Sequence, residues 1–174
     1  MDGVPRLMKL DSNQFYTYKK ILCCTDFSDN AIVAFDFAVD AARRRPGCIL
    51  YLLHVVPESE AQFWKTYIYE VDNVDEKAKH DLDAKVSEIY RPRVPDGVDF
   101  RVEFRIGKDH QSILEFADEN QVDLIVLGRQ GRSNLQKVLF GNVTEMVARK
   151  ANCAVLIIPL SFMKRVKIPT PFTS

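Results

Sequence analysis

Short apolar runs alternating with amphipathic stretches constrain the fold of this chain most strongly. Ile21-Leu22-Cys23-Cys24, Ile49 to Val56, Leu124 to Leu127 and Ala154 to Ile158 are almost wholly apolar and only a few residues long. A strand that is apolar at successive positions must be covered on both faces, which is the habit of parallel sheets. Between these runs lie helical patterns. Ala31 to Arg45 places Ala34, Phe37, Ala38 and Ala41 on one face, and Asn73 to about Tyr90 turns Ala78, Leu82, Val86 and Ile89 inward. Lys108 to Asn120 offers Ile113, Phe116 and Ala117, and a last helix runs from Asn142 to Lys150. Phe100, Val102, Phe104 and Ile106 alternate with Arg101, Glu103 and Arg105. That period of two marks a strand exposed on one face, near a sheet edge. The order β-α-β-α-β-α-β-α-β predicts an α/β fold: a five-stranded parallel sheet, doubly wound, with helices on both faces.

One domain suits 174 residues. Residues 1–17 lack periodicity and read as a flexible N-terminal arm, 18–160 as a single folded domain, and 161–174 as a C-terminal tail. The aromatic segment Phe63 to Tyr69 reads as a loop or short helix, a flap or a dimer contact. Lys plus Arg, 24, equals Asp plus Glu, 24, which argues against a partner held by bulk charge, such as nucleic acid or a membrane surface. Cys23, Cys24, Cys48 and Cys153 form no C-x-x-C pair and no zinc spacing with histidine, so they read as free thiols of a reducing compartment. Met1 to Tyr18 is too polar for a signal-peptide core, and no apolar run reaches a membrane span; a cytoplasmic protein is expected.

Function is written most clearly after the fourth strand. Gly128, Gly131 and Gly141 give the spacing G-x2-G-x9-G, and Asn142, Val143 and Thr144 open the following helix. Glycines there let backbone N–H groups approach an anion with no Cβ in the way, and the helix N-terminus adds unpaired donors. A phosphate chain is the natural guest. Neither G-x-x-x-x-G-K-[ST] nor G-x-G-x-x-G occurs, which sets aside the common P-loop and dinucleotide patterns. Thr25-Asp26-Phe27-Ser28 follows the first strand, with Ser28 a natural helix cap. In a doubly wound sheet the ligand sits beyond the carboxyl ends of the strands, so this turn and the glycine segment are expected to meet. His54, in an apolar strand, reads as a satisfied core histidine, and no catalytic set is evident.

These residues resemble the universal stress protein family from about Lys19 to Pro159. The resemblance rests on Lys20-Ile21-Leu22 with Thr25-Asp26-Phe27-Ser28, on Leu53-His54-Val55-Val56, on Gly107, and on Asp123 to Gly128 with Gly141-Asn142-Val143-Thr144-Glu145. It implies the adenine nucleotide alpha hydrolase-like sheet, a homodimer through Ala154–Ile158, and ATP with Mg²⁺ between the first and fourth strands. By the same resemblance, Thr25 and Asp26 border ribose and phosphates, with Asp26 the metal ligand, and Val55 holds adenine through its backbone. Leu127 and Gly128 line the ribose, while Gly131, Gly141, Asn142, Val143 and Thr144 surround the phosphates. Asn142 departs from the family pattern, which has Ser or Thr there.

Three functions fit these residues. The first is an ATP-binding regulatory protein of the stress response, acting as a homodimer on an unknown protein partner. The second is a slow ATPase, or a protein that phosphorylates itself on Ser133 or Thr144. The third is a nucleotide-free dimeric adaptor. A flavin protein of the same fold class is a distant fourth.

Overall fold

The computed structural model describes residues 18–59, 74–129 and 141–164. Its elements follow the order β1 (Lys20–Cys24), α1 (Asp29–Arg43), β2 (Ile49–Pro57), α2 (Val74–Ile89), β3 (Asp99–Gly107), α3 (Asp109–Glu119), β4 (Leu124–Gly128), α4 (Asn142–Lys150) and β5 (Ala154–Ile158). The five strands form one sheet in the order β3-β2-β1-β4-β5. Every pairing is parallel, with Ile21 opposite both Leu50 and Leu124. The expected α/β architecture is therefore what the chain adopts. The order reverses between β1 and β4, which opens a crevice beyond their carboxyl ends.

Pleating sends alternate residues of the central strands to two separate cores. Ile21, Cys23, Leu50, Leu52 and Val126 meet Ala34, Phe35 and Ala38 of α1 on one face. Leu22, Cys24, Leu53, Ile125 and Leu127 meet Ile113, Phe116 and Ala117 of α3 and Val147 of α4 on the other. Ile21, Leu22, Leu50, Leu52, Leu53, Ile125 and Val126 are all fully buried. Burial on both faces is why these runs carry no alternation in the sequence.

Ser28 caps α1 as the sequence suggests: its hydroxyl accepts the Ala31 N–H, and the helix starts at Asp29. Three details differ from the sequence reading. In α1, Ala31, Ala34, Phe35, Ala38 and Ala42 are among the buried residues, whereas Phe37 is only half-buried and meets Phe162 of the turn Leu160–Lys164 at 5.0 Å. The polar-looking end of α2 hides a fully buried residue: Tyr90 packs edge-on against Phe35 at 4.8 Å. In β3, Ile106 is 60% exposed rather than inward, one rung from the end of the pairing with β2.

The two sheet edges are unlike. On β3, Arg101 and Arg105 lie over the rings of Tyr51 and Phe116 and pair with Asp99 and Glu119. Those hydrogen-bonded partners hold the Asp99 and Glu119 carboxyls below their ordinary range. Charges of this kind protect an edge. On β5, Ala154 and Leu156 are exposed and no charge intervenes. Among the described residues no strand pairs with its outer side. Residues 1–17 and Phe63 to Tyr69, read above as an arm and as a loop or short helix, lie outside the described residues, as does the tail beyond Lys164. No helix among the described residues is long and apolar enough to cross a membrane.

Candidate functional site

A cavity of about 350 Å³ opens where β1, β2 and β4 end and α4 begins. Thr25, Asp26, Val55, Leu127, Gly128, Gly141, Asn142, Val143 and Thr144 all line it. The structure thus brings together the residues singled out by sequence, except Gly131, which lies outside the described residues.

The β1–α1 turn is held rigidly. The Thr25 N–H donates to the Leu53 carbonyl at 2.9 Å, extending the β1–β2 ladder by one bond. The Thr25 hydroxyl accepts the Phe27 N–H at 2.8 Å and shares a hydrogen bond with the Tyr90 hydroxyl at 2.5 Å. The Thr25 carbonyl faces His54 Nδ1 at 2.8 Å. A carbonyl only accepts, so Nδ1 carries the proton. Phe27 pays with a left-handed backbone, φ 62°, rare for a bulky residue. Asp26 closes an Asx turn, its Oδ1 accepting the Ser28 N–H at 3.0 Å.

The β4–α4 side is built differently. Arg129 donates its N–H to Ile158 at 2.8 Å and accepts the Gly141 N–H at 2.9 Å, which closes the base of the glycine loop. Gly141 caps α4 with no side-chain hydrogen bond. The N–H groups of Asn142, Val143 and Thr144 lie in the first turn, where a helix offers them no internal acceptor. They carry the positive end of the helix dipole to the cavity wall. Thr144 is buried and its hydroxyl donates to the Gly128 carbonyl at 2.9 Å, tying α4 to the end of β4. Gly128 is needed for a close approach: a Cβ there would stand 3.0 Å from the backbone carbon and oxygen of Asn30.

Val55 lines the cavity near the end of β2. In a parallel ladder the N–H and C=O of one residue point to the same side, and the side repeats every second residue. Leu53 turns its carbonyl toward β1. Val55 therefore points its N–H and C=O the same way, beyond the end of β1.

Sequence reasoning missed several lining residues: Cys24, Leu53, His54, Pro57, Asp109 and Ile113. Pro57 ends β2 and Asp109 starts α3, so the strand-end rule carries a signal for both. His54 is satisfied, as expected, yet it borders the cavity rather than a closed core. Burial, and then the neighbouring Cys23, push the Cys24 thiol well above its usual range, so this floor of the cavity carries no thiolate. Asp26 stands without a metal cage: the described residues contain no cluster of three or more His, Cys, Asp or Glu able to hold an ion.

Comparison with known proteins agrees with this architecture. The model of the universal stress protein family matches residues 17–159. The universal stress protein MJ0577 of Methanocaldococcus jannaschii is 30% identical over 81% of this chain and 94% of its own length. Its solved structure superposes with a TM-score of 0.68, at 31% identity over 83% of this chain and 97% of that one. UspA from Lactobacillus plantarum gives a TM-score of 0.68 at 29% identity, over 83% of this chain and 99% of that one. A universal stress protein from Archaeoglobus fulgidus, solved in complex with dAMP, gives a TM-score of 0.56 at 29% identity over 82% of this chain and 99% of that one.

Proposed function

The chain belongs to the universal stress protein family, and from that premise we propose that it is an ATP-binding regulatory protein of the stress response that acts as a homodimer. The observation that carries the reading is a single cavity whose wall combines the first-turn N–H groups of Asn142, Val143 and Thr144 with the outward backbone of Val55. The first set suits phosphate oxygens and the second suits a base edge. Leu127 and Gly128 flank the ribose between them, and Thr25 and Asp26 border ribose and phosphates. Gly141 gives its own N–H to Arg129, so its part in the cradle is the missing Cβ rather than a donor. Gly131 would complete the cradle.

Magnesium fits this site only together with the nucleotide. Mg²⁺ commonly takes one or two carboxylates plus phosphates and water. Asp26 would supply one carboxylate, with phosphate oxygens and water as the other ligands. When bound, the ion would neutralise phosphate charge. A self-phosphorylating role for Thr144 is disfavoured by its burial and by the commitment of its hydroxyl to Gly128.

Denaturing freshly purified protein and identifying released nucleotide by chromatography and mass tests the reading. Adenine nucleotide near one per chain is the expected result. Without carry-over, Mg-ATP at about 100 times its Kd should stabilise the fold by about 2.7 kcal/mol, read as a thermal shift. Neither release nor shift would sink the proposal in favour of the nucleotide-free adaptor. The homodimer is supported by the unprotected edge of β5, and Leu156→Lys should convert dimers to monomers in sedimentation. A dimer that survives the charge would place the interface elsewhere.

A further inference from the structure

We propose that His54 is a positioning residue for base recognition: by occupying the Thr25 carbonyl it stops the β1–β2 ladder one rung short and keeps the Val55 N–H available to the cavity. The inference rests on the nucleotide-binding function proposed above and deepens it to base specificity.

The ladder sets the argument. After Thr25 N–H donates to Leu53 O, the next rung of a regular parallel pair runs from Val55 N–H to Thr25 O. Among the described residues that rung is not made. The Thr25 carbonyl instead receives the Nδ1–H of His54 at 2.8 Å. His54 is held in place by rings on two sides, Phe27 at 4.8 Å and Phe104 at 6.4 Å. Thr25 is held in turn through its side chain by the buried Tyr90 hydroxyl at 2.5 Å and by the Phe27 N–H. Phe27, in its left-handed backbone at φ 62°, gives its N–H to the Thr25 hydroxyl and packs its ring on His54, so it touches both partners of the carbonyl contact.

The chemistry of the base follows. A backbone N–H facing the Watson–Crick edge meets an acceptor at adenine N1 but a donor at guanine N1. Keeping that donor free selects adenine. With the Thr25 carbonyl released, the donor that a regular parallel ladder would bring to it is the Val55 N–H, and that bond would extend the ladder into the site.

His54→Ala, His54→Asn and the unaltered chain test this with Mg-ATP and Mg-GTP titrations. One lost hydrogen bond should weaken ATP binding by His54→Ala about 3- to 10-fold and shrink the ATP-to-GTP preference by a similar factor. His54→Asn, whose side-chain amide donates from the place of Nδ1, should restore the preference. A purely packing role would lower stability without moving the ratio between nucleotides, and a ratio that stays at the unaltered value overturns the proposal. Amide hydrogen exchange on nucleotide-free protein gives a second reading. The Val55 amide should become more protected in His54→Ala, and unchanged protection overturns the proposal whatever binds. If the unaltered chain binds neither nucleotide, the function proposed above fails, together with the role of His54 toward a base, and the exchange result still decides whether His54 limits the ladder.

Discussion

The two walls of the cavity are made in opposite ways. On the β1–α1 side, Thr25 has its N–H, its carbonyl and its hydroxyl bonded within the chain, and a residue in left-handed conformation is held beside it. On the β4–α4 side, a nine-residue helix begins at a glycine cap and leaves its first-turn donors without internal acceptors. One wall fixes shape and the other supplies attraction for an anion. Their junction is Gly128, which packs against Asn30 at the start of α1 and accepts the Thr144 hydroxyl from α4.

Breaking that junction should have the largest effect. Gly128→Val drives a side chain into the Asn30 backbone, where a Cβ alone already approaches to 3.0 Å. Backbone cannot step aside as a flexible side chain can. Overpacking of this kind costs about 1–3 kcal/mol. For a chain of this length that is a melting temperature lower by roughly 2–12 °C, with nucleotide binding lost alongside it. Calorimetric melting and titration of the same sample check both. A variant that melts like the unaltered protein would mean that the walls are not joined at Gly128.

Thr144→Val is the next step down and acts on one wall alone. Valine keeps the shape and removes the donor, leaving the Gly128 carbonyl short of a partner. A loss of roughly 1–3 kcal/mol in stability is expected, measured by urea unfolding, with Thr144→Ser close to the unaltered chain. Affinity should fall only through the looser α4. If binding is abolished while stability holds, the hydroxyl meets phosphate directly and the wall has a side-chain donor after all.

The same contrast explains what was legible in the sequence. Elements buried on both faces, such as Ile21 to Cys24 and Leu124 to Leu127, declare themselves by composition, and β5 and α4 fall where the pattern puts them. The open wall is equally plain, because glycine spacing before a helix start is a local signal. The rigid wall is not. Tyr90, Thr25 and His54 are far apart in the chain, and nothing at residue 90 says that its hydroxyl will reach residue 25. Asp109 joins the cavity only because β3 and α3 bring the start of that helix beside β2. Long-range polar contacts of this type leave no periodicity to read. Phe27 gave no warning either, since a left-handed phenylalanine is visible only once its neighbours are in place.

The smallest effect is the most informative about the open wall. Asn142 opens α4, is exposed, and borders the cavity where the family pattern carries Ser or Thr. If attraction there comes from backbone N–H groups, the side chain at this position matters little, because Asn142→Ser leaves every main-chain donor in place. Mg-ATP affinity should then stay within about threefold of the unaltered chain, below the net worth of one full hydrogen bond. Tightening by an order of magnitude would show instead that a hydroxyl at residue 142 supplies a contact the amide cannot. The open wall would then work through side chains, as the rigid wall does, and the contrast between them would fail at its first residue.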